Sequence, residues 1–107
     1  MTTATKKIDF NKIEGPVYTG RSRGELLREE LQLDEIDAAG NVVEIVIPEG
    51  TYTISSSFFL GLFGPSVVKA GSKAAFYSRY HFTSPKFLDE VIDGYVARAL
   101  QPRNLFN

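Results

Sequence analysis

The sequence predicts an α/β fold, a short and mostly parallel central sheet packed with about three helices. Three observations carry that expectation. Val42-Val43-Glu44-Ile45-Val46-Ile47 is β-branched at five of six positions and nearly continuous in apolarity, as suits a central strand covered on both faces. Tyr52 and Ile54 lead straight into Ser55-Ser56-Ser57 and then into an apolar helix closed by Gly71. Near the end, Phe87, Leu88, Val91, Ile92, Tyr95 and Val96 recur at helical spacing. Strands and helices thus alternate, the pattern of an α/β sandwich.

Taken in order, residues 1–7 read as a flexible polar tail and residues 8–107 as one domain. Ile8, Phe10 and Ile13, interleaved with polar residues, suggest a half-buried strand whose register slips near its end. Gly15-Pro16 marks a turn, after which Val17 and Tyr18 start a second short strand. Ser22 and Glu25 have capping-box spacing at the start of a helix whose apolar stripe is Leu26, Leu27 and Leu31. Residues 34–41 read as an acidic loop ended by glycine. After the central strand, Phe58 to Ala70 is apolar on most sides and predicts a largely buried helix, kinked or broken at Pro65. Lys73 to Tyr80 reads as another strand. Ser84 then caps the last helix, with Pro85 at its first position.

Composition narrows the functional classes. The chain has 107 residues, enough for one self-sufficient core. Its formal charge is −1, so a nucleic-acid backbone finds no global electrostatic support. Cysteine is absent, which excludes disulfides, thiol nucleophiles and cysteine-based zinc sites. The polar start lacks the apolar run of a signal peptide, and no stretch is long and apolar enough to span a bilayer. A cytoplasmic protein without a membrane partner is expected. No catalytic residues, metal ligands or cofactor are assigned.

The segments GRSRGELLREEL and ISSSFFLGLFG, with the order of elements, resemble the STAS-like domain family of unknown function, related to sulfate-transporter and anti-sigma-factor-antagonist domains. The resemblance spans roughly Gly20 to Arg98. It implies a single STAS-like sandwich and a regulatory, non-enzymatic role. In the antagonists this junction carries Asp-Ser, and the serine is phosphorylated by an ATP-binding kinase. By position Ser56 matches that phosphoacceptor, Ser55 stands in place of the Asp, and Phe58 in place of a glycine. A histidine-kinase-type ATPase is the partner the resemblance implies, in a bacterium or a phage.

The candidate partner-binding residues are Ser55, Ser56, Ser57, Phe58 and Phe59, with Phe58 a candidate outward-facing anchor. Helix capping by Ser56 or Ser57 accounts for the same serines. Arg21, Ser22 and Arg23 form a small basic loop at a helix start, suited to an anion or simply to a solvated helix entry. His81, the sole histidine, has no evident orienting partner, and the acidic residues from Glu25 to Asp37 read as a solvated face. Two alternatives to the docking module stay open. One is a nucleotide or small-ligand sensor, which requires the helix starts at Ser22 and Ser56 to share an edge of the sheet. The other is a phage-encoded inhibitor of a host defence complex. A homodimer also stays open, depending on whether helix Phe58–Ala70 keeps an apolar face exposed.

Overall fold

The computed structural model describes residues 5–101. In chain order the elements are β1 (Thr5–Asp9), a 3-10 turn (Phe10–Lys12), β2 (Val17–Tyr18), α1 (Arg21–Leu31), α2 (Leu33–Ala39), β3 (Val42–Val46), β4 (Thr53–Ile54), α3 (Ser56–Ala70), α4 (Lys73–Arg79), β5 (Tyr80–Thr83) and α5 (Lys86–Ala99). The fold is α/β, and every strand pairing is parallel: β1-β3-β5 form one sheet, β2-β4 a second, smaller one.

β3 is the central strand, as its β-branched run predicts. Val43 and Ile45 point inward and are fully buried, whereas Val42, Glu44 and Val46 are only half-buried. One face of the sheet is therefore covered completely and the other only partly, which corrects in part the expectation of a strand covered on both faces. The partly covered face carries a polar row, because Lys7 and His81 stand opposite Glu44 on the neighbouring strands. The tail expected over residues 1–7 is corrected in part. Thr5, Lys6 and Lys7 pair with Val42, Val43 and Glu44, and the remainder lies outside the described residues. The register slip expected after Ile8 is the 3-10 turn, which Asp9 caps by accepting from the Asn11 N–H.

α3 is the hub of the helical layer and packs against each of the other four helices. Phe58, Phe59, Leu62, Phe63 and Val67 on it are all buried, which accounts for a helix apolar on most sides. Pro65 sits inside it without ending it. The expected break is corrected: residue 65 faces outward, and the flanking turns are held by core packing. Gly71, in a left-handed conformation with φ of 88°, closes the helix as predicted.

Five helices replace the expected three. α2 occupies what the sequence suggested was a loop, separated from α1 by Gln32 alone, whose φ of 57° turns the chain. α4 occupies the segment expected to be a strand. Ser72 caps it by accepting from Ala75 N–H, and only Tyr80 onward is extended. Phe76 and Tyr80 stack with ring centroids 4.7 Å apart. The last helix starts one residue later than predicted. Pro85 is its cap, and the Ser84 hydroxyl donates to Asp89 instead of capping the backbone. Of its expected apolar face, Leu88, Ile92 and Val96 are buried while Phe87 and Val91 are exposed.

Candidate functional site

β2 and β4 are two-residue parallel strands, and each is followed almost at once by a helix. The Ser55 N–H donates to the Tyr18 carbonyl at 2.9 Å, so the starts of α1 and α3 lie on the same edge of this small sheet. The two helices then run in close contact through paired glycines. A Cβ on Gly24 would lie 2.3 Å from the Phe58 carbonyl oxygen, and one on Gly61 would lie 2.5 Å from the Arg21 oxygen. Only residues without side chains allow that approach.

At the α3 start, Ser55 is the cap: its hydroxyl oxygen accepts from the Phe58 N–H at 3.1 Å. The sequence pointed to Ser56 or Ser57, so the cap is corrected by one residue. Ser56 is half-buried and Ser57 exposed, and their N–H groups have no acceptor within the helix. Ser55→Ala should lower stability by about 1 kcal/mol in a urea titration, whereas Ser57→Ala should change it by less than about 0.5 kcal/mol. Phe58 and Phe59 are core residues, 0% and 2% exposed. That overturns the outward-facing anchor: Phe58 packs against Phe10 and Tyr18, and Phe59 against Phe63, Phe82 and Tyr95.

The capping box at the α1 start is likewise corrected. Gly20, with φ of 94°, is the cap residue, and Ser22 is exposed with no capping bond. Arg23 is not available for an anion. Its guanidinium donates to the carbonyls of Glu14 and Val17 and lies over the rings of Tyr18 and Phe58. Arg21 is exposed, and its side chain makes no hydrogen bond or ion pair among the described residues. The junction therefore offers serine hydroxyls, free first-turn N–H groups and one unengaged cation. It suits an acidic or phosphorylated group.

The sequence missed a buried polar hub behind the α1–α3 contact. Asp37 of α2 is 5% exposed and accepts four bonds. Oδ1 receives the Tyr80 hydroxyl at 2.5 Å and Arg79 at 3.2 Å. Oδ2 receives Ser66 at 2.5 Å and Arg28 at 3.3 Å. Arg28 also donates to the Leu62 carbonyl, Ser66 and Asp34. Burial pushes the Asp37 carboxyl up, but the bonds from Ser66, Tyr80 and Arg79 outweigh it and hold the group below its ordinary value of 3.8. Burial, with Asp37 alongside, pushes the Tyr80 hydroxyl well up. Each lone-pair direction is taken, so the hub joins α1, α2, α3 and the start of β5 instead of offering a proton acceptor to a substrate. The Arg28 and Asp37 spacing along an acidic, apparently solvated stretch gave no signal of this.

His81 is exposed and bonds to Glu44 at 3.0 Å and to the Ser78 carbonyl at 3.2 Å. Glu44 is the partner the sequence did not supply, reached through strand register. Among the described residues no group of three or more His, Asp or Glu side chains is placed to hold a metal ion. No helix among them is long and apolar enough to cross a membrane. Comparison with protein-family models, with curated proteins and with solved structures produced no match.

Proposed function

We propose that the chain is a non-enzymatic protein-interaction and regulatory module of the STAS-like kind, docking through the adjoining starts of α1 and α3 onto an ATP-binding, kinase-like protein. The observation that carries this reading is the Ser55–Tyr18 backbone bond, which sets the two helix starts side by side with Arg21, Ser22 and Ser57 at the surface. Docking then uses serine oxygens and N–H groups, with Phe58 and Phe59 acting from beneath as the rigid support. Phosphorylation at Ser56 would add a charge of roughly −1.5 to −2 where two helix dipoles favour it.

The test is capture of the tagged protein from its native cells, comparing wild type with Ser57→Asp. Recovery of a stoichiometric kinase-like ATPase, reduced about tenfold by the substitution at unchanged thermal stability, is the expected result. Equal recovery with both proteins would remove the surface.

The shared edge also favours a second reading, a sensor of a nucleotide or another anion. Arg23 is committed to backbone carbonyls, which leaves Arg21 as its cation. A rise in melting temperature with ATP or inorganic phosphate, lost in Arg21→Gln, is what that reading requires.

A further inference from the structure

A groove of about 710 Å³ runs between α1, α3 and α5. Its floor is a stripe of α3, Gly61, Gly64, Pro65 and Val68, spaced so that all four share one helix face. Val68 is 57% exposed and Pro65 is exposed beside it, so these two present apolar surface to a visiting chain, while Gly61 and Gly64 are buried beneath them. Arg21, Lys69 and Arg98 stand along the groove, and Glu25 is the one acidic residue among its described lining.

Those three cations differ from four others among the described residues. Arg23, Arg28, Arg79 and Lys73 all donate to protein acceptors. The side chains of Arg21, Lys69 and Arg98 make no hydrogen bond or ion pair among the described residues; those of Lys6, Lys7, Lys12 and Lys86 make none either, but these do not line the groove. A last-turn position explains the sign of Lys69 and Arg98 through the helix dipole, but not why three unengaged cations line one apolar floor.

We propose that this groove docks an acidic amphipathic segment of a partner protein, with apolar side chains on the α3 stripe and carboxylates toward Arg21, Lys69 and Arg98. A lone phosphate fits the arrangement poorly, because the charges are spread out. The Arg21 carbonyl lies against Gly61, and Lys69 follows eight residues later, about 12 Å along the helix. Charges so distributed, over a continuous apolar floor, match side chains repeating along a helix or extended segment. The proposal goes beyond the serine junction. Arg21 borders both surfaces, whereas Lys69 and Arg98 border this one alone, so variants at the latter two leave the junction untouched.

The probe is a set of fluorescein-labelled helical peptides of about 14 residues, apolar at i, i+4 and i+7 with glutamate flanks. A matched set carries lysine flanks. Fluorescence anisotropy with the full chain should show saturable binding of acidic peptides only, weakening as salt rises from about 50 to 300 mM. Lys69→Glu with Arg98→Glu should weaken it about tenfold or more, Val68→Asp should do likewise, and Lys12→Glu should not. Circular dichroism and melting temperature check that each variant is folded. Saturable binding by none of the acidic peptides, equal binding by both sets, or full affinity in the charge-reversed variant would overturn the proposal. So would a dimer in sedimentation that Val68→Asp dissolves, since the groove would then belong to a second copy.

Discussion

Gly24→Ala is expected to destabilise the protein by about 3 kcal/mol or more, despite placing a better helix former inside a helix. The added methyl would meet the Phe58 oxygen at 2.3 Å and the Leu62 nitrogen at 2.9 Å, both backbone atoms of the central helix. Neither can swing aside as a side-chain end would, so α1 and α3 must separate. The bonds from Arg28 to Leu62 and Ser66 depend on the same spacing. Gly61→Ala should act in the same way from the other side, against Arg21 and Glu25. Gly94→Ala is the internal control. Nothing lies within 4 Å of its Cβ position in α5, so the gain in helix propensity stands alone and stability should rise by about 0.5–1 kcal/mol. Urea unfolding of the three variants checks the set. A Gly24→Ala protein as stable as wild type would mean that the two helices do not meet as described.

Asp37→Asn should cost about 3–5 kcal/mol, since it removes the anion that faces both Arg28 and Arg79 and puts an N–H₂ donor among donors. It also changes the response to acid. Because the folded carboxyl titrates below its unfolded value, its contribution is present above about pH 4 and is lost as pH falls through the folded value. Wild type should therefore lose stability on acidification, and the variant should lose less. A residual acid slope comes from Asp9, held low mainly by Asn11, and from Asp93, held low mainly by Lys73. The alkaline side has the opposite sign. Burial is the chief cause that raises Tyr77 and Tyr80, so their contribution is complete below about pH 10 and declines above it. Urea midpoints measured from pH 2.5 to 11 on both proteins check these slopes; superimposable acid limbs would count against the hub.

The parts legible in the sequence are those where one force dominates. Val42–Ile47 is legible because β-branching and apolarity agree, and α3 because its aromatic and aliphatic residues exceed what one stripe needs. α2 is hidden because its third inward position is polar: Leu33 and Ile36 are followed by Asp37, which interrupts the apolar period while being as buried as its neighbours. The segment 73–80 misleads because Phe76, Tyr77 and Tyr80 favour strands by composition. Its geometry is decided instead by the Ser72 cap and by stacking of Phe76 on Tyr80. At the site, three consecutive serines have the same chemistry, and which one caps depends on the bond from Ser55 to Tyr18 across the small sheet. That bond is tertiary. The same holds for Phe58, whose burial needs β2 and the 3-10 turn to be in place around it.

The all-parallel pairing governs the order in which the molecule can be assembled. Thr5 pairs with Val42 and Val43 with Tyr80, so each step across the sheet joins residues 37 apart in sequence. Among the described residues no hairpin exists to serve as a local seed, and each pairing requires closure of a long loop before hydrogen bonds reward it. During synthesis β3 can be extended and still lack its β5 neighbour until the helical stretch in between, α3 included, has left the ribosome. The helices are the early-available pieces, and both partners of the α1–α3 glycine contact precede β5 in the chain. A nascent chain halted before residue 80 would contain both helices of that contact while leaving one edge of β3 unpaired.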